Sequence, residues 1–189
     1  MIYISKNLLK SHQEAQIVEF DSLLQHLPIE EQNILKNNVL NPIAFLLISE
    51  IKKNNQDVPL IKECLNYLLL NPIDCNQLTI QNNQLYLPPS DTRGENLNYT
   101  FISDSEKVIF FNNLARAKDL LGKDWTELIS IVSVVTFVTI TGKEELLTHF
   151  SGSNSDLWGA IHMNNNLDLI NIIECLTHEA SHHWLNLFE

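Results

Sequence analysis

Apolar positions recur at helical spacing through the first third of the chain. Between Asn7 and His26 the residues Leu8, Leu9, Ile17, Val18, Leu23 and Leu24 predict a helix that Pro28 ends. Ile29–Asn37 and Pro42–Lys53 predict two more, divided near Asn41-Pro42 because a proline pushes the residue before it out of the helical region. A fourth restarts at Pro59 after the polar Asn54-Asn55-Gln56-Asp57 and stops at Asn71-Pro72. Residues 1–73 therefore read as an all-helical part.

The pattern then changes. Leu78-Thr79-Ile80, the polar Gln81–Gln84 and Leu85-Tyr86-Leu87 read as a hairpin, followed by a loop with Pro88-Pro89, Asp91, Arg93 and Gly94. Ser103 with Glu106 forms a capping-box signature ahead of a helix reaching Leu121, and Gly122 suits its C-terminal stop. Asp124 with Glu127 repeats the signature for a short helix starting at Trp125. The β-branched and aromatic stretch Ile129–Ile140 predicts a buried strand closed by Thr141-Gly142. Gly152 and its serines predict a loop, Gly159–Met163 a short strand, and Asn164–Asn166 the turn that caps a last helix. The fold class is thus α+β and mostly α-helical, with a mixed α/β part over residues 74–189 that can be continuous with the helical part.

Composition narrows the partners. A chain of 189 residues, 44% apolar, is long enough for a substantial core. Its net charge of −11, from 23 acidic residues against 12 Lys and Arg, argues against a phosphate backbone as ligand, so no nucleic-acid partner is expected. No stretch approaches the roughly 20 apolar residues that span a bilayer, and Met1–Gln16 lacks the charged-then-apolar order of a secretory signal. A cytoplasmic protein without membrane partners is expected. Cys64, Cys75 and Cys175 are odd in number and widely spaced, which argues for buried thiols over a disulfide framework.

One constellation names a chemistry. His178-Glu179-Ala180-Ser181-His182 spells H-E-x-x-H in an apolar run that begins near Leu167. Histidines four apart stand one helical turn apart on one face, so both imidazoles can reach one divalent cation, with the glutamate beside it. The flanking Ile172, Ile173, Cys175, Leu176, Ala180, Trp184, Leu185, Leu187 and Phe188 predict a helix apolar nearly all round, hence buried. Asn171, Glu174, Thr177, His178, Ser181 and His182 fall on a narrow polar stripe suited to ligands and their supports. His183 lies about 100° round from His182 and is placed to pair with Glu179 at i,i+4 spacing.

A catalytic ion needs a third ligand and an open position. Downstream, Glu189 is about 10.5 Å along the helix from His182, too far for the same ion. The third ligand is therefore expected from upstream, from a partner chain or homo-oligomer, or from beyond this stretch. His162 is the first upstream candidate, on the strand leading into the helix, with His149, Asp156 and Asp168 behind it. Cys175, one turn before His178, is a candidate soft ligand, although a core thiol is the simpler role.

The segments Ser151-Gly152-Ser153, Trp158–Met163 and Glu174–Leu185 resemble the HExxH-motif peptide-modification family, which includes 2-oxoglutarate-dependent HExxH-type peptide β-hydroxylases. The resemblance implies Fe(II) held by His178 and His182, 2-oxoglutarate and O₂ at the open positions, and hydroxylation of an unactivated side-chain carbon of a peptide or protein substrate. It also implies a third ligand beyond the HExxH helix. Arg93 and Arg116 are the candidates for pairing with the cosubstrate carboxylate. Two other readings use the same residues. A zinc metallopeptidase would use Glu179 as general base on water bound to Zn²⁺. In a non-catalytic or truncated metal-binding or interaction protein, His178 and His182 would bind metal structurally or not at all.

Overall fold

The computed structural model describes residues 6–25, 27–53, 58–71, 77–87, 98–141 and 151–188. Four helices open it: α1 (Lys6–Leu24), α2 (Ile29–Lys36), α3 (Pro42–Lys52) and α4 (Val58–Leu70). Their ends follow local chemistry. Pro28 precedes α2, whose first turn carries Glu30 and Glu31 and whose last turn carries Lys36, complementing the helix dipole. Asn41 caps α3 by accepting the Ile43 N–H at 3.0 Å, and Pro42 occupies the first turn, where its missing N–H costs nothing.

Residues 77–87 do not form the expected hairpin. Thr79–Ile80 is a short strand, β1, and Gln84–Tyr86 closes into a 3₁₀ turn with the Asn83 side chain accepting the Leu85 N–H. The two apolar triplets bury against different neighbours: β1 runs parallel to the central strand, while Leu85 and Tyr86 pack among the N-terminal helices. A further strand, β2 (Asn98–Phe101), follows, and α5 (Asp104–Leu121) starts on the expected capping box. The Ser103 side chain accepts the Glu106 N–H, and the Glu106 carboxylate accepts the Ser103 N–H at 2.8 Å. The second signature is not used, because α6 (Lys123–Ile129) begins directly after Gly122 and no side chain caps it.

The central strand β3 (Val134–Thr141) starts later than its composition suggests, since Ile129 still belongs to α6 and Ile131 and Val132 lie in the turn after it. β4 (Ser151–Ser153) is a strand where a loop was expected, and β5 (Ala160–Asn164) leads into α7 (Leu169–Leu185). The strand order is β1-β3-β5-β4, with β2 antiparallel to the far end of β3 on the flank that β1 occupies at its start. β5 runs parallel to β3, and β4 is antiparallel to β5.

Alternation along the strands splits the core. Val135, Phe137, Ile161 and Met163 join the cluster that holds the apolar residues of α5, α6 and α7. Val134 and Ala160 join the cluster of α2, α3 and α4. One sheet therefore serves both sides, and the helical and mixed parts share it as a common wall. Among the described residues no helix is long and apolar enough to cross a membrane.

Candidate metal centre

α7 carries the HExxH residues and is not buried all round. Its buried residues are Ile172, Cys175, Leu176, Glu179, Ala180 and His183, one face at i, i+3, i+4, i+7 spacing. Ile170 and Leu185 are exposed, at 66% and 54%. Apolar content alone concealed this amphipathicity, because two of the residues on the inward face are polar. Asp168, rather than the Asn164–Asn166 turn, caps the helix by accepting the Asn171 N–H at 2.9 Å.

His178 and His182 lie on the exposed edge of that face. Their Nε2 atoms are 3.1 Å apart, with ring centroids at 4.7 Å and planes at 81°. With one Nε2 protonated, this contact is an N–H···N hydrogen bond. With both lone pairs directed at a shared ion about 2.05 Å from each nitrogen, the same separation corresponds to an N–metal–N angle of roughly 100°. That angle lies between the octahedral and tetrahedral values, so the donor set accommodates Fe(II) and Zn²⁺ alike.

Glu179 points elsewhere. One residue on from His178 is a 100° rotation, and this turns its carboxylate into the protein, where it is 4% exposed. Its Oε1 and Oε2 accept hydrogen bonds from Ser151 and Ser153, each at 2.8 Å. Ser151 and Ser153 are alternate residues of β4, hence on one face of the sheet, opposite Met163 and Ile161 in register. The Ser-Gly-Ser spacing carried this signal, which an expected loop obscured.

His183 is buried and does not hydrogen-bond to Glu179. Its Nε2–H donates to the Ala160 carbonyl at 3.0 Å, and its own carbonyl accepts the Trp158 indole N–H at 3.1 Å. Burial drives its pKa down to about 4, against the opposing effects of the Ala160 carbonyl and the Glu179 carboxylate. A neutral ring thus ties the C-terminal half of α7 to the start of β5.

The other candidates do not converge on the histidine pair. His162 alternates with Ile161 and Met163, whose side chains pack with α7, so it faces the opposite side of the sheet. There it is 3% exposed, lies against Gly152, and meets the Tyr99 ring edge at 6.2 Å. Burial lowers its pKa to about 4. The strand alternation that left its direction open resolves against a ligand role beside His178. Asp156 accepts hydrogen bonds from Ser49 and Lys53 and ties α3 to the 3₁₀ turn after β4. Burial works to raise its pKa, but those two hydrogen bonds and the Lys53 charge outweigh it and hold the carboxyl below the ordinary range. Asp168 is engaged as the cap. Cys175 is a free buried thiol whose pKa burial pushes up, a poor ligand in that state. Arg116 is exposed on α5 and does not line the groove beside the histidines. His149 and Arg93 lie outside the described residues. Among the described residues, no three His, Cys, Asp or Glu side chains are placed to hold one ion.

Beside the pair, a groove of ≈ 420 Å³ runs between α6 and α7. Leu121, Leu128, Ile131 and Ala180 form its apolar wall. Asp124, Glu127 and Glu174 stand at its polar rim with His178, Thr177 and Ser181. Of these acids only Glu174 was legible beforehand, through its place on the polar stripe. The volume falls in the range of small-molecule and side-chain pockets. No model of a known protein family matches the chain, and no curated protein matches it.

Proposed function

We propose that the chain is a metal-dependent peptide-modifying enzyme in which His178 and His182 hold one Fe(II) ion and a peptide side chain is hydroxylated at the expense of 2-oxoglutarate and O₂. The observation that carries it is the 3.1 Å separation of the two imidazole nitrogens at the exposed edge of α7, beside a groove that His178 itself lines. The two imidazoles would supply two of the three protein donors of a facial-triad iron site, and among the described residues no third stands beside them. The bound ion would supply oxygen activation, with 2-oxoglutarate losing CO₂ as one oxygen atom enters the succinate so formed and the other the hydroxyl group of the product.

The chain's own residues position the pair. Ser151 and Ser153 grip Glu179 from β4, and His183 grips the Ala160 carbonyl one turn further along. These contacts fix both the rotation and the height of α7 against the sheet, and so fix where His178 and His182 point. We read Glu179 as a positioning residue. A general base must reach the water it deprotonates, whereas both oxygens of this carboxylate are occupied and buried. This weighs against the zinc-peptidase alternative.

The test is metal content of protein purified without oxygen, with and without His178→Ala, followed by 2-oxoglutarate addition. Near-stoichiometric iron, lost in the variant and giving an Fe(II) charge-transfer band with 2-oxoglutarate, is expected. Zinc in place of iron, or no metal at all, would overturn the assignment.

A further inference from the structure

We infer that the groove between α6 and α7 receives a basic side chain, lysine or arginine, of the peptide substrate; as an account of substrate choice this rests on the peptide-modifying function proposed above. The groove has two chemically distinct zones. Leu121, Leu128, Ile131 and Ala180 give it an aliphatic lining, while Asp124, Glu127 and Glu174, which also line it, are exposed to solvent. No lysine or arginine lines it. Nor does any ion pair among the described residues engage those three acids. A guest that satisfies both zones has a long apolar stem and a cationic tip, which is the construction of lysine and arginine side chains.

Acidic guests are excluded by the same groups, and the whole-chain charge of −11 reinforces the selection. A purely aliphatic guest would fill the wall but leave the carboxylates without a partner. His178 lies on the α7 wall, so a side chain in the groove brings its peptide backbone past the histidine pair. The groove thereby couples the recognition of charge to the candidate metal centre.

The probes are three fluorescein-labelled pentapeptides differing at the central residue only, lysine, norleucine or glutamate, titrated by fluorescence anisotropy at low and high salt. The lysine peptide is expected to bind about tenfold tighter than the norleucine peptide at low salt, with the preference shrinking as salt screens the charges. Asp124→Asn/Glu127→Gln/Glu174→Gln should bring the ratio of lysine to norleucine affinity from about tenfold to about one. All three positions are exposed, so folding is expected to survive; circular dichroism and single Glu174→Gln, with a partial loss, provide the control. Equal binding of lysine and norleucine peptides, no binding of either, or a lysine preference untouched by the triple variant would each overturn the inference. Iron bound at His178 and His182 with no lysine preference would sink this inference alone. A lysine preference retained in protein that binds no metal would sink the proposed function and leave the groove's selectivity standing.

Discussion

Gly152→Ala adds a single methyl group at the junction between β4 and β5. Gly152 stands opposite His162 in register, and a Cβ there would lie 2.7 Å from both Cε1 and Nε2 of the imidazole. Carbon atoms in contact normally keep about 3.5–4.0 Å, so the overlap is roughly 0.8 Å or more. His162 is buried at 3% exposure and cannot swing away, so β4 has to move outward. Overpacking of this kind costs about 1–3 kcal/mol, which for a chain of this size lowers Tm by roughly 2–12 °C. The same displacement would stretch the 2.8 Å hydrogen bonds from Ser151 and Ser153 to Glu179 beyond the useful range. Urea denaturation of the parent, Gly152→Ala, His162→Ala and the double variant forms a thermodynamic cycle. A clash predicts that Gly152→Ala costs about 2 kcal/mol with His162 present and less than about 0.5 kcal/mol once the ring is gone. Gly152 does not occupy the left-handed backbone region, so strain of that origin does not contaminate the comparison. An equal penalty in both backgrounds would refute the steric argument.

Acid should weaken the fold before its carboxylates titrate. Burial lowers the pKa of both His162 and His183 from 6.5 to about 4, so each ring is neutral in the fold but takes up a proton on unfolding. A depressed imidazole pKa contributes stability that is complete above 6.5 and is lost as pH falls from 6.5 towards 4. From about pH 7.5 to pH 5 the loss is ~2 kcal/mol per ring, read from urea midpoints; a flat profile over this window would contradict neutral burial. Ser151→Ala/Ser153→Ala leaves the buried Glu179 carboxylate without its two donors and should cost about 2–4 kcal/mol, with metal affinity at His178 and His182 weakened ~10-fold as α7 loosens. Unchanged metal titration in a destabilised variant would separate folding from positioning. Asp168→Ala removes the α7 cap and should cost about 1 kcal/mol in thermal denaturation, against little or no change if the Asn171 N–H finds water instead.

The helices of the N-terminal part were legible because prolines and polar runs bound them, and Ser103 with Glu106 marked the start of α5 through a mechanism that operates in the fold. Errors came where a local pattern has two physical outcomes. Leu78–Leu87 alternates like a hairpin, but long-range pairing of β1 with β3 gives more than the two short strands could gain from each other. Ser151-Gly152-Ser153 has turn composition, yet β5 offers an open edge, and the gap above Gly152 is what His162 fills. The position of the motif helix is legible in the sequence but its burial is not, since counting apolar residues does not register that Glu179 and His183 belong to the inward face.

The five letters of HExxH therefore divide between two environments. In a helix, the histidines at i and i+4 are 40° apart and the glutamate lies 60–100° from them, so a modest rotation of the helix about its axis decides whether all three share one cavity. Here the rotation is set by Glu179 itself: a buried carboxylate requires donors, Ser151 and Ser153 supply them from β4, and turning α7 to bring Glu179 outward would strand those hydroxyls and expose Ile172 and Leu176. The inward carboxylate and the outward imidazoles are consequently one arrangement, in which the residue that could have served as a base instead orients the two that can hold an ion. A metal held there would have two ligands from α7 and would stand beside the groove that Glu174 and Ser181 line, so under the proposed function the acids of that groove are the groups placed to select the substrate.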